Sequence, residues 1–193
     1  MTTLNDRLEQ IESKISQADF RDKTGNANEV SYFVFDYAPS AEREVTDYIK
    51  KLEKRINNRH KEYCIKVFDL YDIIMEYFEK EGYLEGCFDI EGEEGLQGLE
   101  EAMNSAIQIT DEGDNNYLVN YIEKNTPDNA IIFLTGVGKC FPIFRSHNIL
   151  NILHQKFNKV PVILMFPGCY DGQHFMPFGS IKGENYYRAF RLI

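Results

Sequence analysis

Gly136 and Gly138 stand directly behind an apolar run, Ala130–Leu134, in the stretch Thr135-Gly136-Val137-Gly138-Lys139-Cys140. A glycine loop between a strand and a helix is where backbone N–H groups wrap a phosphate. The phosphate loop needs the spacing GxxxxGK followed by Ser or Thr, so that a hydroxyl reaches magnesium. Here the position five before Gly138 is Phe133, inside the apolar run, and Cys140 replaces the hydroxyl residue. The dinucleotide pattern GxGxxG fails as well, because Phe141 takes the place of its third glycine. What is left is a tight turn in which glycine supplies positive φ, so a β-branched residue at Gly138 should distort it.

Other chemistry-bearing residues gather near this loop. Pro142, Arg145 and His147 follow it, and Ser146 is positioned to cap a helix whose apolar stripe is Ile149, Leu150, Leu153 and Phe157. A helix N-terminus beside Arg and His can hold an anion. Arg145 can equally pair with one of the chain's many carboxylates, and no nucleophile stands beside it to complete a site. Asp36 and Asp69 end two further apolar runs; if those strands are neighbours, the two carboxylates could ligate magnesium. Asp at a strand end is also an ordinary cap and turn former. His60, His154 and His174 lack metal-ligand spacing, and Ser40, Ser146 and Ser180 lie in no GxSxG elbow. No cofactor or metal is expected, and no complete catalytic constellation is visible.

The elements that must position these residues are written as alternating periodicities. Leu4, Leu8, Ile11 and Ile15 mark an amphipathic helix, and 16–29 reads as loop. Val30–Tyr37 is a strand, punctuated by Ala38-Pro39-Ser40, with Ser40 as a candidate cap for a helix over Ala41–Asn57. Cys64–Asp69 is a second strand, and Asp69 or Asp72 could cap the next helix. The glycine-dotted stretch Glu81–Gly98 weakens regular structure before helices around Leu99 and Leu118. Ala130–Leu134 and Val160–Phe166 are continuous apolar runs joined by a helical crossover, the signature of a buried parallel sheet. Short β-like runs follow around 174–178 and 186–193. The expected fold is α/β: three layers, a mostly parallel sheet of four to five strands, and helices on both faces. One domain over 1–193 is expected, with an acidic helical segment at about 76–125 inserted between strands.

Charge excludes some functions. The 193-residue chain carries a net charge of −10, which disfavours general binding to nucleic acid. Between Glu76 and Asp114 stand thirteen Asp or Glu residues and one Lys, an acidic face that either is simply solvated or docks a basic partner. The basic run Lys50, Lys51, Lys54, Arg55, Arg59 and Lys61 suits the end of a helix, where cations meet the dipole. A small patch for nucleic acid or a partner is the alternative. Cys64, Cys87, Cys140 and Cys169 form no CxxC pair and fit reduced thiols. The amino terminus has no apolar leader core, and no run approaches the roughly eighteen residues of a membrane span. A cytoplasmic protein is expected.

Ligands in parallel sheets gather at the carboxyl ends of the strands. Gly136, Gly138, Pro142, Arg145, His147, Pro167, Gly168 and Tyr170 should therefore share one surface, since a single crossover links the two strands that precede them. Tyr187 and Arg188, in the run Tyr186-Tyr187-Arg188-Ala189-Phe190, are a second docking candidate, because Tyr and Arg are enriched at interface hot spots. The same run would also suit a buried edge strand.

A longer string of residues carries a resemblance. It comprises Thr135-Gly136-Val137-Gly138, Phe141-Pro142, Arg145-Ser146-His147, Leu150-Asn151 and Leu153, then Val160-Pro161-Val162 and Phe166-Pro167-Gly168-Cys169-Tyr170-Asp171-Gly172, and finally Asn185-Tyr186-Tyr187-Arg188-Ala189-Phe190. This string resembles the BrxB family of bacterial BREX anti-phage defence systems, most strongly over the C-terminal third. The resemblance implies a subunit of a multi-protein machine that restricts phage and marks host DNA. Its other subunits include a methyltransferase, a large ATPase and an alkaline-phosphatase-like protein. It implies no catalytic residue. The function expected is non-catalytic assembly within that machine. The alternatives are a divergent nucleotide-binding enzyme with a degenerate phosphate loop, or a weak DNA-binding accessory protein.

Overall fold

The computed structural model describes residues 3–22, 32–59, 62–107, 116–144, 146–157, 159–179 and 189–193. Helix α1 (Leu4–Ile15) opens with a capping box, in which the Thr3 hydroxyl accepts from the Asp6 N–H and the Asp6 carboxylate accepts from the Thr3 N–H. Its Leu8, Ile11 and Ile15 are buried, as their spacing requires. A short helix α2 (Ala18–Asp22) follows where the sequence suggested loop.

Strand β1 (Tyr32–Tyr37) leads through a 3-10 turn (Pro39–Ala41) into α3 (Glu42–Arg59), so Ser40 sits within the turn and not at a cap. Strand β2 (Cys64–Asp69) passes directly into α4 (Leu70–Lys80), with Asp69 as the cap. Next comes α5 (Leu84–Ala106), helical through the glycine-dotted stretch but broken at Gly95 (φ 72°, ψ −166°). Helix propensity alone argues against it; packing of Leu99 and Met103 against the core outweighs the glycines. Helix α6 (Tyr117–Lys124), strand β3 (Ala130–Thr135), the single turn α7 (Val137–Cys140) and α8 (Ser146–Lys156) complete the middle of the chain. Strands β4 (Val162–Tyr170), β5 (Phe175–Pro177) and β6 (Phe190–Arg191) finish it.

The sheet order is β2-β3-β4-β1-β6, with all neighbours parallel and β5 added antiparallel to the end of β4. Five strands form the parallel path, as expected, and β5 adds a sixth off it. The two short strands, β5 and β6, fall within the β-like runs expected around 174–178 and 186–193. Alternation along the strands sorts the core. Phe33, Phe35, Ile131, Phe133, Ile163 and Met165 face α1 and α3, while Val34, Ile132, Leu134, Val162, Leu164 and Phe166 face α4, α5, α6 and α8. Helices cover both faces, which makes a three-layer α/β architecture.

Candidate functional site

The carboxyl edge of the sheet carries the glycine loop. Gly136 adopts the left-handed conformation (φ 77°, ψ 4°), and a Cβ there would lie 2.1 Å from Asp69 Oδ1. Glycine is required on two counts, conformation and space. The positive φ thus falls on Gly136, not on Gly138. Gly138 is helical within α7, and its constraint is steric: a Cβ would meet Pro167 Cγ at 2.8 Å. This close approach brings the loop and the β4 segment Pro167-Gly168 together, as the β3–β4 pairing dictates.

Asp69 ends β2 beside the loop. Its Oδ1 accepts from the Asp72 N–H at 3.2 Å, and Lys139 Nζ donates to its Oδ2 at 2.7 Å and to Asp72 Oδ1 at 3.5 Å. Burial works against the Lys139 charge, but Asp69 and Asp72 outweigh it and raise its pKa. Cys140 is buried, and burial, with Asp69 adding, pushes its thiol up to about 12. It is a protonated core thiol at neutral pH.

Asp36 does not join Asp69. Two strands, β4 and β3, stand between β1 and β2. At 4% exposure, Asp36 instead collects three donors: Arg7 Nη2 at 2.8 Å on Oδ1, Arg191 Nη2 at 2.6 Å and the Tyr170 N–H at 3.2 Å on Oδ2. Burial by itself raises the Asp36 pKa, but the Tyr170 N–H, Arg191 and Arg7 outweigh it and hold the carboxyl below its usual range. One side chain thereby ties α1, β4 and β6 to the end of β1.

The remaining expected residues divide. Pro167-Gly168-Cys169-Tyr170 is not a loop: it continues β4, with Gly168, Cys169 and Tyr170 paired to Pro177, Met176 and Phe175. Tyr170 is fully buried, stacked on Phe175 at 4.7 Å between ring centres, and its hydroxyl donates to the Ala189 carbonyl at 2.8 Å. It belongs to the core, away from any exposed surface, because β5 and the C-terminal strand close over it. Pro142, joined to Phe141 by a cis peptide bond, borders a polar groove with Leu96, Glu100 and Asn104. Asn104 Nδ2 donates to the Ile143 carbonyl at 2.8 Å, fastening α5 to the turn after α7. Arg145, Tyr187 and Arg188 lie outside the described residues, as does the side chain of His147, whose backbone is in the first turn of α8. Phe190 and Arg191 pair with β1 as an edge strand, but both are exposed, so the strand is not the buried one that the C-terminal run also suited.

Among the described residues, no group of three or more His, Cys, Asp or Glu is placed to hold a metal, and no helix is long and apolar enough to cross a membrane.

The family described as BREX protein BrxB matches residues 66–192, from within β2 through β6. A BREX protein BrxB from Bacillus cereus (strain H3081.97) is 42% identical across the whole of this chain and 99% of its own length. The chain belongs to the BrxB family. A second BrxB relative, from Escherichia coli O9:H4 (strain HS), is 28% identical over 97% of this chain and 90% of its own. No solved structure matches the chain.

Two features of this BrxB chain escaped the sequence reading. One is the triple role of Asp36, whose partners Arg7 and Arg191 lie at the two ends of the chain and leave no local pattern. The other is an apolar cavity of about 190 Å³ between α4, α5 and the turn after α7, with Lys139 and Cys140 in its wall. Its sequence signal is Phe88, an apolar residue on the acidic stretch that is 70% exposed.

Proposed function

We propose that this protein is a non-catalytic assembly subunit of a bacterial BREX anti-phage defence system. It acts in the cytoplasm through contacts with the other subunits: the phosphatase-like protein, the methyltransferase and the ATPase. Family membership supplies the BREX context. One observation carries the assembly role: among the described residues, the carboxylates that end β1 and β2 are committed to partners within the chain. Asp69 is held by Lys139 and caps α4, Asp36 is held by two arginines, and the Cys140 thiol is protonated. A divergent nucleotide-binding enzyme would need Lys139 for phosphate, whereas here it is turned to two carboxylates, and α7 is a single turn packed on Pro167. Direct binding to DNA is disfavoured by the net charge of −10.

The test is recovery of tagged protein from its native host, with mass spectrometry of what accompanies it. Copurification of another subunit of the system is the expected result. A clean monomer that turns over nucleotide or nucleic acid would sink the reading. Calorimetry with ATP and magnesium should give a flat trace, and a saturable isotherm would revive the nucleotide-binding alternative.

A further inference from the structure

The cavity between α4 and α5 is walled by Ile74, Met75, Leu84, Leu99 and Phe144, with the exposed Phe88 on its rim. Its volume of about 190 Å³ decides what can enter. Roughly 150 Å³ admits a benzene ring, whereas sites for cofactor-sized ligands occupy roughly 300–1,000 Å³. One large apolar side chain fills it, and its largely apolar wall offers no phosphate cradle.

Charge decides what carries that side chain. Helix α5 bears seven carboxylates and neither Lys nor Arg, and its Glu91 lines the cavity. Of the six large apolar side chains that are exposed among the described residues, four (Tyr71, Tyr83, Phe88 and Leu96) fall on or beside α4 and α5. Lys139 in the cavity wall is already paired with Asp69 and Asp72, so the anchors sit in a predominantly acidic surface that repels an acidic partner and a second copy of the same face. Geometry narrows the choice again. The seat lies between helices whose backbone groups are already bonded internally, so it offers no edge for strand addition and suits a helix laid in a groove.

We infer that the cavity beside Phe88 is a docking seat for a basic amphipathic helix of a partner protein. That helix inserts one Leu-, Met- or Phe-sized side chain between α4 and α5, and its Lys and Arg side chains meet the α5 carboxylates. The inference rests on the assembly reading above and specifies the chemistry of what is assembled.

The chain contains no Trp, so a single Trp in a probe peptide is read without background. The probe is a Leu/Lys peptide of about eighteen residues, or five helical turns, with helical apolar spacing and a Trp on the apolar face; its control is the same residues scrambled. With the full chain, the helical probe should bind saturably with a blue-shifted emission, roughly tenfold tighter than the scrambled one. Phe88→Asp and the double change Glu91→Lys/Glu94→Lys should each weaken it by roughly tenfold or more. Equal binding of the two peptides, or unchanged binding by Phe88→Asp, overturns the inference. Copurification with the rest of the system then separates the two readings. A folded Phe88→Asp protein that loses its complex supports the docking seat. One that keeps its complex overturns the seat and leaves the assembly reading standing. Absence of any complex with the unmodified chain overturns both.

Discussion

Helix α3 covers one face of the sheet with Val45, Ile49, Leu52 and Ile56, all fully buried, whereas α5, at 23 residues against 18, buries only Gly98, Leu99 and Met103 on the other. The α3 face is also stapled at its margins, by Arg7 to Asp36 and by Arg55 to Glu12. Its charges are mixed in sign. The α5 face is single-signed, carries four glycines, breaks at Gly95 and leaves a cavity open beneath an exposed aromatic ring. One sheet thus has a side closed by the apolar stripe of α3, and another on which α5 lacks such a stripe and leaves an opening. Both sides bury apolar clusters, and the second leaves room for contact.

The contrast can be broken most directly in the core. Leu52→Ala should destabilise the protein by about 3 kcal/mol, because it removes a fully buried side chain from a packed face. Urea denaturation followed by circular dichroism measures this, and a loss under about 1 kcal/mol would mean that the α3 face is not closed.

Asp36→Ala comes next, at about 2–3 kcal/mol, since it leaves the Tyr170 N–H and two guanidinium groups without their acceptor. The same clamp sets an acid response. Because the folded carboxyl is held below its usual value, the unfolded chain takes up the proton first as pH falls. The contribution is therefore complete above about pH 4 and is lost as the pH drops through the lower folded value. In Asp36→Asn, stability should fall less steeply over that acid range than in the unmodified protein; identical slopes would remove Asp36 from the account.

Gly136→Ala sharpens the comparison at the sheet edge. Positive φ and the 2.1 Å approach to Asp69 should together destabilise by about 2 kcal/mol, partly through loss of the α4 cap. A thermal melt within error of the unmodified protein would contradict that geometry. The smallest effect belongs to the open face: Phe88→Ala should change stability by no more than about 0.5 kcal/mol, as exposed substitutions do. A larger loss would show that Phe88 is held by its own chain and is not free for a partner.

The central strands, the crossover helix and the α3 stripe were legible in the sequence because each is a local periodicity: continuous apolar runs for β3 and β4, and i, i+4, i+7 spacing for α3. A cap at Asp69 or Asp72 was legible too, since a cap is read from its immediate neighbours, and the structure selects Asp69. Misread were Pro167–Tyr170, placed beyond the end of the strand but held in it by β5, and Glu81–Gly98, whose glycines understate a helix that packing imposes.

Sequence alone determined that this chain builds a parallel sheet with a glycine turn behind β3, and that its acid is concentrated in one stretch, because composition and period are properties of neighbours along the chain. Tertiary structure alone decided that Asp36 and Asp69 are kept apart by two strands, and that Arg7 and Arg191 meet on one carboxylate. It also decided that Phe88 stands beside a cavity lined by residues from α4, α5 and the turn after α7. Strand order and the meeting of distant segments follow from how the layers bury their apolar faces together, and no window of the sequence contains that information.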